Sequence, residues 1–511
     1  MIFDATTFPR DTELTADLCV IGSGAGGAMA AMVAAEAGLR VVLLEAGGFY
    51  APEDMTQREE QMLPKLYWDG GGRASADRSV RIHQGKGVGG STLHNLNLCK
   101  RIHPAVLDAW QRDRGLRHLG PAVWQALYAE VEQLLEVSAV PRERWNLHNR
   151  LLERGCNALG WRGGGLHHNR SGCIGSGFCE VGCAYDAKNN AAKVLVPRAL
   201  QAGAEILSHC QAVRIDHDGM RVTGVRARAV AEGHMAPGHE VRVRAARVCV
   251  AASATGTPAL LLRSDIPDPS QSTGRSLHVH PAVVAAGDFE EPVQAWLGIP
   301  QTYECTEFLR FGDDPGRPAA PRRTWIVPAF GHPLGTATMM PGHGALHREV
   351  MNRYAHLAVL TAMLHDETAG RVTPDGDFGV RVDYTPNAAD QRELGQGLQA
   401  CARLLFAAGA KRVWIPTPEP MLLANPSELK RLDGFVAAPG KLGLAAVHPM
   451  GSVPMADDPT RAAIDSRGAH HHLAGLWVAD GSVFPTSIGV PPQLSIYAMG
   501  LHVGRALARA G

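Results

Sequence analysis

The chain has 511 residues, of which 45% are hydrophobic and 20% charged, and its 50 basic residues balance its 50 acidic residues. This length is too great for one compact core, so two domains or interleaved lobes are expected. No block of like charges occurs, so neither nucleic acid nor an acidic membrane surface is expected as a partner.

The N-terminus has neither the basic segment nor the apolar segment of an export signal. No apolar run approaches the ~20 residues that span a bilayer. We therefore expect no membrane span and a cytoplasmic location. The ten cysteines are then expected to be free thiols, ligands or reactive groups rather than a disulfide framework.

Residues 17–45 read as a strand, a glycine-rich turn, an alanine-rich helix and a second strand that ends in Glu45. In the turn, Gly22 permits a sharp bend, Gly24 lets a pyrophosphate approach the backbone, and Gly27 lets the helix pack on the strand. The helix N-terminus faces the phosphate charge. Glu45 lies about 20 residues beyond the glycines, where an acid can accept hydrogen bonds from a ribose. The unit predicts a bound dinucleotide.

Further along the chain, apolar spacing predicts a helix over Pro121–Val137, and Ala388–Gly409 reads as a helix that a glycine ends. A β-type run covers Arg242–Ala251. The predicted fold class is α/β, with a discontinuous Rossmann-like nucleotide domain and an α+β substrate domain. We assign residues 1–100, 185–285 and 441–511 to the first domain, and residues 101–184 and 286–440 to the second.

Four further motifs follow the first glycine turn in order: Gly85–Asn95, Ala252–Leu262, Gly274–Pro281, and the pair His448–Ser452 and Leu476–Thr486. Together they resemble the glucose–methanol–choline (GMC) family of FAD-dependent oxidoreductases, from residue 17 to about residue 505. A nicotinamide dehydrogenase would explain the first glycine turn and none of the other motifs. The resemblance implies a FAD-binding domain of the glutathione-reductase type.

The resemblance also implies where FAD would bind. Its pyrophosphate would lie near the three glycines of the first turn and its adenosine ribose on Glu45. The second glycine run would pass the isoalloxazine ring, since only glycine lets a backbone lie against a flat ring. Asp480 and Gly481 look like the family's contact to the ribityl and pyrophosphate region. The other cofactor-binding candidates are Gly87, Gly90, Ser91, His94, Asn95 and Val213.

His94 has a specific implied role. Several family members carry a histidine at this position and link it covalently to the flavin 8α-methyl group. That chemistry needs a nucleophilic imidazole beside the dimethylbenzene edge, and the link tends to raise the flavin potential. The alternative is a histidine that only packs or forms hydrogen bonds there.

His448 is the expected catalytic residue, because in similar enzymes the histidine that opens a His-x-x-Gly stretch faces the flavin. Alcohol oxidation removes a hydroxyl proton and a hydride, and flavin N5 takes the hydride. The proton needs an acceptor with a pKa near 7, which imidazole provides. As imidazolium it can also stabilise the developing alkoxide.

At one position the sequence departs from the family pattern. A second His or Asn usually follows the Pro-Thr-x-x-Gly-x stretch, but Pro491 stands there and offers no side-chain donor. Either His448 acts alone, or a neighbour such as Asn95 or Gln493 supplies the second hydrogen bond.

Cys173, Cys179 and Cys183 fall within eleven residues, with glycines between them. This cysteine run looks like a segment of the family's long-chain alcohol oxidases. It is also similar to a segment of bacterial sugar dehydrogenases that carry a three-iron cluster, although a neighbouring cysteine of that pattern is here Ile174.

Three thiolates could hold an iron–sulfur cluster, and zinc would need a fourth ligand, for which His167 or His168 is a candidate. The alternative is a glycine-rich turn with buried thiols or one disulfide. We favour this alternative and assign no metal site.

The predicted function is FAD-dependent oxidation of a primary or secondary alcohol to a carbonyl, with oxygen or another electron acceptor. A sugar, a polyol, a natural-product hydroxyl, and a long-chain or steroid alcohol all stay open as substrates. Acidic residues of the substrate domain could meet a polar or cationic sugar, or could form a solvated face: Glu304, Glu307, Asp313, Asp314, Asp366 and Glu367. The alternative functions are a lyase of the hydroxynitrile-lyase type with a structural FAD, and a non-catalytic flavin-binding protein.

Overall fold

The computed structural model of the chain describes residues 1–231, 238–311, 323–340 and 342–510. Its helices are α1 (Ala25–Glu36), α2 (Glu59–Leu66), α3 (Pro104–Arg114), α4 (Pro121–Leu134), α5 (Leu147–Leu159), α6 (Ala191–Val194), α7 (Val196–Gln201), α8 (Ser253–Arg263), α9 (Pro333–Met339), α10 (Gly344–Asn352), α11 (Ala388–Ala407) and α12 (Gln493–Arg509). Within the described ranges, no helix is both long and apolar enough to cross a membrane.

The strands of the same ranges are β1 (Ile2–Asp4), β2 (Thr12–Ala16), β3 (Leu18–Ile21), β4 (Val41–Leu44), β5 (Val80–Ile82), β6 (Val137–Ala139), β7 (Gly163–Gly165), β8 (His167–Asn169), β9 (Glu205–Ser208), β10 (Cys210–His217), β11 (Val222–Ala229), β12 (Glu240–Ala245), β13 (Val248–Val250), β14 (Ala282–Asp288), β15 (Tyr303–Cys305), β16 (Thr324–Pro328), β17 (Leu357–Leu364), β18 (Arg371–Asp375), β19 (Gly379–Asp383), β20 (Arg412–Ile415), β21 (Met421–Leu423), β22 (Leu444–Ala446) and β23 (Leu476–Val478).

A parallel sheet with the strand order β1-β9-β4-β3-β13-β23 forms the centre of the first domain. All residues of β3, β4 and β13 are buried, as expected for parallel strands that are covered on both faces. Ile21 pairs with Leu44 on one side and with Val250 on the other, so these three strands end at the same edge. The helix that joins β3 to β4 is α1, which confirms the predicted strand–helix–strand unit.

The C-terminal helix α12 packs closely against α1 at two glycines. A Cβ atom at Gly500 would lie 2.5 Å from the carbonyl oxygen of Gly26, and one at Gly504 would lie 3.0 Å from Cβ of Val33. Small residues on both helices therefore let the two backbones approach closely. This contact brings the C-terminal segment of the chain to the N-terminal unit.

A second, mixed sheet has the order β10-β11-β12-β2 and lies beside the parallel sheet. The other domain is built on a larger sheet, ordered β21-β20-β14-β17-β16-β15-β7, in which β22 also pairs with β14 and β5 pairs with β22. Helix α11 packs on β14 and β17 and also contacts α5. The apolar residues of these elements form a second hydrophobic core.

The helices predicted at Pro121–Val137 and Ala388–Gly409 are confirmed as α4 and α11, and Gly409, with a φ of +102°, follows the end of α11. The β-type run Arg242–Ala251 is divided between β12 and β13, which belong to different sheets.

Residues 101–184 were assigned to the substrate domain, yet α3 and α4 bury side chains such as Tyr128 in the core of the parallel sheet. The domain division stays a prediction.

Two pairs of strands, β18–β19 and β6–β8, complete the described sheets as short antiparallel ribbons.

Candidate active site

A cavity of about 470 Å³ extends from the parallel sheet to the larger sheet of the second domain. At one end it is lined by Ile21, Leu44 and Ala251, which stand at the carboxyl ends of β3, β4 and β13. At the other end it is lined by Val284 of β14 and Val359 of β17. Ligands of open parallel sheets bind outside the carboxyl ends of the strands, so the first end is the expected nucleotide position.

The first glycine turn has the geometry that a dinucleotide requires. Gly22 has a φ of +95°, and a Cβ atom there would lie 2.4 Å from the carbonyl oxygen of Ala251. A Cβ at Gly27 would lie 1.9 Å from the carbonyl oxygen of Gly22, whereas one at Gly24 would meet only Cα of Gly90, at 3.9 Å. The backbone at Gly24 is therefore open, and the amides at the start of α1 are available to phosphate oxygens.

Glu45 lines the cavity at the end of β4, but its carboxylate is already occupied by the protein. One oxygen accepts hydrogen bonds from the amide and the hydroxyl of Ser23, at 3.1 and 2.6 Å. The other accepts from the amides of Gly47 and Gly87, at 2.9 and 3.1 Å. Burial raises the pKa of Glu45. Glu45 thus connects the two glycine-rich turns, and its contact with a ribose stays a prediction.

The second glycine run lies directly against the first. A Cβ at Gly90, where φ is +55°, would lie 2.8 Å from Cα of Gly24. The Ser91 hydroxyl accepts a hydrogen bond from the amide of Gly85 at 2.9 Å, and Gly90 and Ser91 both line the cavity. Gly87 does not line the cavity, and its amide donates a hydrogen bond to Glu45.

Asp480 and Gly481 also line the nucleotide end of the cavity. The Asp480 carboxylate accepts hydrogen bonds from the amide of Ser482 at 2.8 Å and from the hydroxyl of Thr257 at 2.5 Å. Burial raises its pKa. Among the described residues of β10, Cys210, Gln211 and Ala212 line the cavity, and Val213 does not.

His94 lies in the cavity wall as a buried imidazole. Its Nε2 atom has no hydrogen-bond partner among the described residues, and its ring lies 4.0 Å from the ring of Tyr67. A Cβ at Gly85 would lie 2.5 Å from this Nε2, so glycine is required there. Burial, and then the charge of Lys188, lowers the pKa of His94 well below its ordinary value. A neutral imidazole can act as a nucleophile through this nitrogen in the tautomer that leaves it unprotonated.

His448 lines the same cavity and is paired with a second histidine. Its Nδ1 lies 3.1 Å from Nδ1 of His280, and the two rings are perpendicular. The Nε2 atom of His280 accepts a hydrogen bond from the amide of Gly489 at 3.0 Å. Burial lowers the pKa of His448 to about 3 and also holds the pKa of His280 well below its ordinary value.

These partners assign the protons of the two rings. Because Nε2 of His280 is an acceptor, its proton is on Nδ1 and is donated to Nδ1 of His448. His448 is then neutral and carries its own proton on Nε2. Asp366 holds the backbone here by accepting from the amides of Val279 and His280 at 3.0 and 3.3 Å.

His280 is a site residue that we did not assign from the sequence. The sequence feature that could have indicated its role is its position at the end of the Gly274–Pro281 motif, one residue before Pro281. A single chain gave no indication that its ring would meet His448, 168 residues away.

Asn95, Gln493 and Pro491 all line the cavity. Nδ2 of Asn95 donates to Oε1 of Gln493 at 2.6 Å, and Nε2 of Gln493 donates to the carbonyl oxygen of Leu98 at 2.8 Å. Among the described residues, neither amide forms a hydrogen bond with His448, whose partner is His280. Gln493 therefore holds Asn95 in place, and Asn95 is the one of the two with an N–H left for a ligand.

The cysteine run surrounds a second, much smaller cavity that Cys173, Cys179 and Cys183 all line. All three thiols are free. The sulfur of Cys173 lies 3.6 Å from a guanidinium nitrogen of Arg170, and the amide of Ala187 donates to the sulfur of Cys183 at 3.3 Å. In the part of the chain that the structure describes, no cluster of His, Cys, Asp or Glu side chains is arranged to hold a metal ion.

The histidines considered as a fourth zinc ligand have other positions. His168 is buried and its Nε2 lies 2.9 Å from the carbonyl oxygen of Gln301, while His167 is exposed.

Another residue of the run, Glu180, lines the main cavity, which the sequence did not indicate. Burial, and then the charge of Glu59, raises the pKa of Glu180 to about 8.

The far end of the cavity is apolar. It is formed by alternate residues of β14 and β17, which share one face of the sheet, and by residues of β16, α9 and nearby loops. The apolar side chains of this branch are Ala282, Val284, Ala295, Trp325, Ala329, Phe330, Met339, Met340, Leu357, Val359 and Met363.

Most polar atoms of this branch form hydrogen bonds with other groups of the protein. The Thr361 hydroxyl donates to the carbonyl oxygen of Val283, and Nε2 of Gln301 donates to that of Pro328, at 2.9 Å. The indole of Trp325 donates to Glu304.

The acidic residues that were candidates for sugar binding have other positions. Glu304 forms an ion pair with Lys100, and Asp366 accepts from the hydroxyl of Tyr384 at 2.7 Å. Glu367 is an exposed partner of Arg323. None of the four described members of the set, Glu304, Glu307, Asp366 and Glu367, lines the cavity, and Asp313 and Asp314 lie outside the described residues.

Comparison with known proteins identifies the family. The GMC oxidoreductase models for the N- and C-terminal regions match residues 63–282 and 366–500. An uncharacterized GMC-type oxidoreductase of Mycobacterium tuberculosis (strain ATCC 25618 / H37Rv) is 36% identical over 496 residues, which are 96% of this chain and 75% of the relative. A long-chain-alcohol oxidase of Arabidopsis thaliana is 27% identical, over 98% of this chain and 69% of the relative.

The fold is shared with solved structures as well. The crystal structure of pyridoxine 4-oxidase from Mesorbium loti superimposes with a TM-score of 0.70 at 20% identity, over 96% of this chain and 98% of that one. The family models together match more than half of the residues, and the mycobacterial relative exceeds 30% identity. The chain therefore belongs to the GMC oxidoreductase family.

Proposed function

We propose that the protein binds FAD and oxidises the hydroxyl group of an apolar alcohol to a carbonyl, with oxygen or another acceptor taking the electrons. One observation carries the proposal. A single cavity joins the glycine turns at the parallel sheet to an apolar branch on the second sheet, and His448 stands in its wall. A dinucleotide at one end and an alcohol at the other would then meet at this histidine.

The nucleotide end fits FAD in three respects. The backbone at Gly24 is open, the amides at the start of α1 face the cavity, and His94 has an unpartnered nitrogen. FAD, when bound, supplies at its N5 atom the acceptor for the hydride that leaves the alcohol carbon. The chain then has to orient the hydroxyl group and remove its proton.

His448 is the proposed residue for the hydroxyl proton. Burial lowers its pKa to about 3, well below the value near 7 that the sequence led us to expect, so the imidazole is neutral at physiological pH. Nδ1 is engaged by His280, so Nε2 is the atom for the substrate oxygen. To accept the proton, His448 must present an unprotonated Nε2. This requires the other tautomer, in which His448 carries its proton on Nδ1 and donates it to His280. The amide of Gly489 opposes that tautomer, so His280 affects how readily His448 acts as a base.

The proposed substrate class is a long or bulky apolar alcohol. A sugar in the apolar branch would leave several hydroxyl groups without partners, which is costly. The three methionines of the branch, Met339, Met340 and Met363, can adapt to alkyl chains of different shape. The Arabidopsis relative, which is named a long-chain-alcohol oxidase, supports the same class.

We expect kcat/KM to rise along the series from 1-butanol to 1-decanol. Burial of each methylene group contributes about 0.8 kcal/mol, which corresponds to about a fourfold gain per carbon until the branch is filled. The measurement is steady-state kinetics of the FAD-loaded enzyme with each alcohol and with glucose. Glucose as the better substrate would contradict the proposed class.

We also expect FAD to be attached covalently through His94. Flavin should remain with the protein pellet after acid precipitation of the wild type and move to the supernatant for His94→Ala. The control is His83→Ala, which removes a second histidine that lines the cavity and contacts the ring of Tyr67. Wild-type flavin that appears in the supernatant would rule out the covalent link.

A further inference from the structure

Lys188 is a buried cation that the proposed reaction does not use. It is 1% exposed and follows the cysteine run by five residues. Its Nζ donates hydrogen bonds to the main-chain carbonyl oxygens of Leu93 at 3.0 Å, Asn95 at 2.6 Å and Cys179 at 3.0 Å. Two of these carbonyls flank His94, and the third belongs to the cysteine run.

The arrangement suits an ammonium group. An ammonium has three N–H donors and all three have acceptors here, whereas a neutral amine would leave one carbonyl without its donor. Burial lowers the pKa of Lys188 to about 8, so the group is still charged at neutral pH. A buried charge without a carboxylate in contact is costly, so a specific role for it is expected.

Arg170 makes a second connection of the same kind. One of its guanidinium nitrogens donates to the carbonyl oxygen of Leu96 at 3.0 Å, and a second lies 3.6 Å from the sulfur of Cys173. Two cations on the side of the cysteine run thus bind the backbone of residues 93–96. This segment contains His94 and Asn95, which line the cavity.

We propose that Lys188 is a positioning residue for the flavin, which holds the segment around His94 against the cysteine run and places a positive charge behind the cavity wall that His94 and Asn95 form. The inference rests on the proposed binding of FAD. The cysteine run then supports the cofactor site through Lys188, and its thiols lie near this lysine. Other charged or titratable groups near Lys188 are Arg170, which opposes its charge, and Glu180, Cys179, Cys183 and His94.

Two properties of the bound flavin follow from this placement. A reduced flavin carries more negative charge than an oxidised one, so a nearby cation favours reduction and raises the midpoint potential. A fixed position of His94 favours both retention of FAD and formation of the covalent link, because the reacting atoms must be held in register.

The test compares Lys188→Gln with the wild-type holoenzyme. Glutamine keeps two N–H donors for the carbonyl oxygens but has no charge. This variant therefore separates the effect of the charge from the effect of the hydrogen bonds. We expect a lower midpoint potential, and Lys188→Met should in addition retain at least tenfold less flavin per chain. The matched control is Lys193→Gln, a more exposed lysine of the same segment, which should match the wild type.

The outcomes separate this inference from the proposed function. A wild type without flavin would refute the proposed function. A flavin-loaded wild type whose potential and flavin content are unchanged in both Lys188 variants would overturn the inference. If the variants are less stable but their bound flavin keeps the wild-type potential, Lys188 is only structural and the inference is also overturned.

Discussion

Replacement of His448 by alanine is expected to lower kcat for an apolar primary alcohol by about 10²–10⁴-fold, the usual contribution of a general acid–base group. FAD should remain bound, because the contacts of the glycine turns with a nucleotide do not involve His448. The measurement is the rate of flavin bleaching by alcohol in single-turnover experiments, with the flavin content determined in parallel. A loss of less than tenfold with full flavin content would refute the role of His448.

The pH dependence of kcat/KM tests the protonation state of His448. Burial lowers the pKa of His448 to about 3, so its charged form appears only when the pH falls through that value. The wild-type kcat/KM profile should therefore show no acid limb from His448 between pH 5 and 8. In His280→Ala the N–H group that faces Nδ1 of His448 is lost and the smaller side chain leaves His448 less buried, so the pKa of His448 should rise. An acid limb should then appear, whereas a purely structural His280 would lower the rate at every pH alike.

Gly22→Ala is expected to destabilise the protein and abolish FAD binding. The new Cβ would lie 2.4 Å from the carbonyl oxygen of Ala251, and the φ of +95° is unfavourable for alanine. Overpacking costs about 1–3 kcal/mol, and a left-handed backbone adds about 1–2 kcal/mol. We expect the free energy of unfolding to fall by about 2–5 kcal/mol, measured by denaturant titration together with the flavin content.

Gly38→Ala is the matched control for this variant. Gly38 belongs to the same βαβ unit and has a φ of +90°, but a Cβ there would meet no atom within 4 Å. It should carry the backbone strain of about 1–2 kcal/mol alone and keep FAD. Equal losses of stability and flavin in the two variants would show that the contact with Ala251 is unimportant.

The nucleotide-binding unit could be predicted because its determinants are local. The positions of Gly22, Gly24 and Gly27 depend on a turn and one helix, and the strand–helix–strand pattern lies within 30 residues of sequence. Helices α4 and α11 were predictable for the same reason, since their apolar spacing is a local property.

The pairings inside the site could not be predicted in this way. His280 meets His448 across 168 residues, and Asn95 meets Gln493 across 398 residues. Both contacts depend on how distant segments of the chain pack together, which a single sequence does not specify. The expectation was that His448 acts alone or that Asn95 or Gln493 supplies a second hydrogen bond, and the observed partner of His448 is His280.

The apolar lining of the substrate branch could also not be predicted from the sequence. Glu304 reads as a candidate for a polar ligand, yet it is paired with Lys100 and Trp325 and does not line the cavity. The lining comes instead from alternate residues of β14 and β17, such as Val284 and Val359. Which face of a fully buried strand meets a cavity depends on sheet packing, because both faces carry apolar residues.

Anaerobic mixing of the purified FAD-containing protein with 1-decanol, followed by the flavin absorbance, tests the proposed alcohol oxidation. The oxidised flavin band is expected to disappear and one aldehyde to form per flavin, while glucose leaves the band unchanged. A flavin band that persists with every alcohol would refute the proposed oxidation, because FAD would then serve a lyase or a non-catalytic protein.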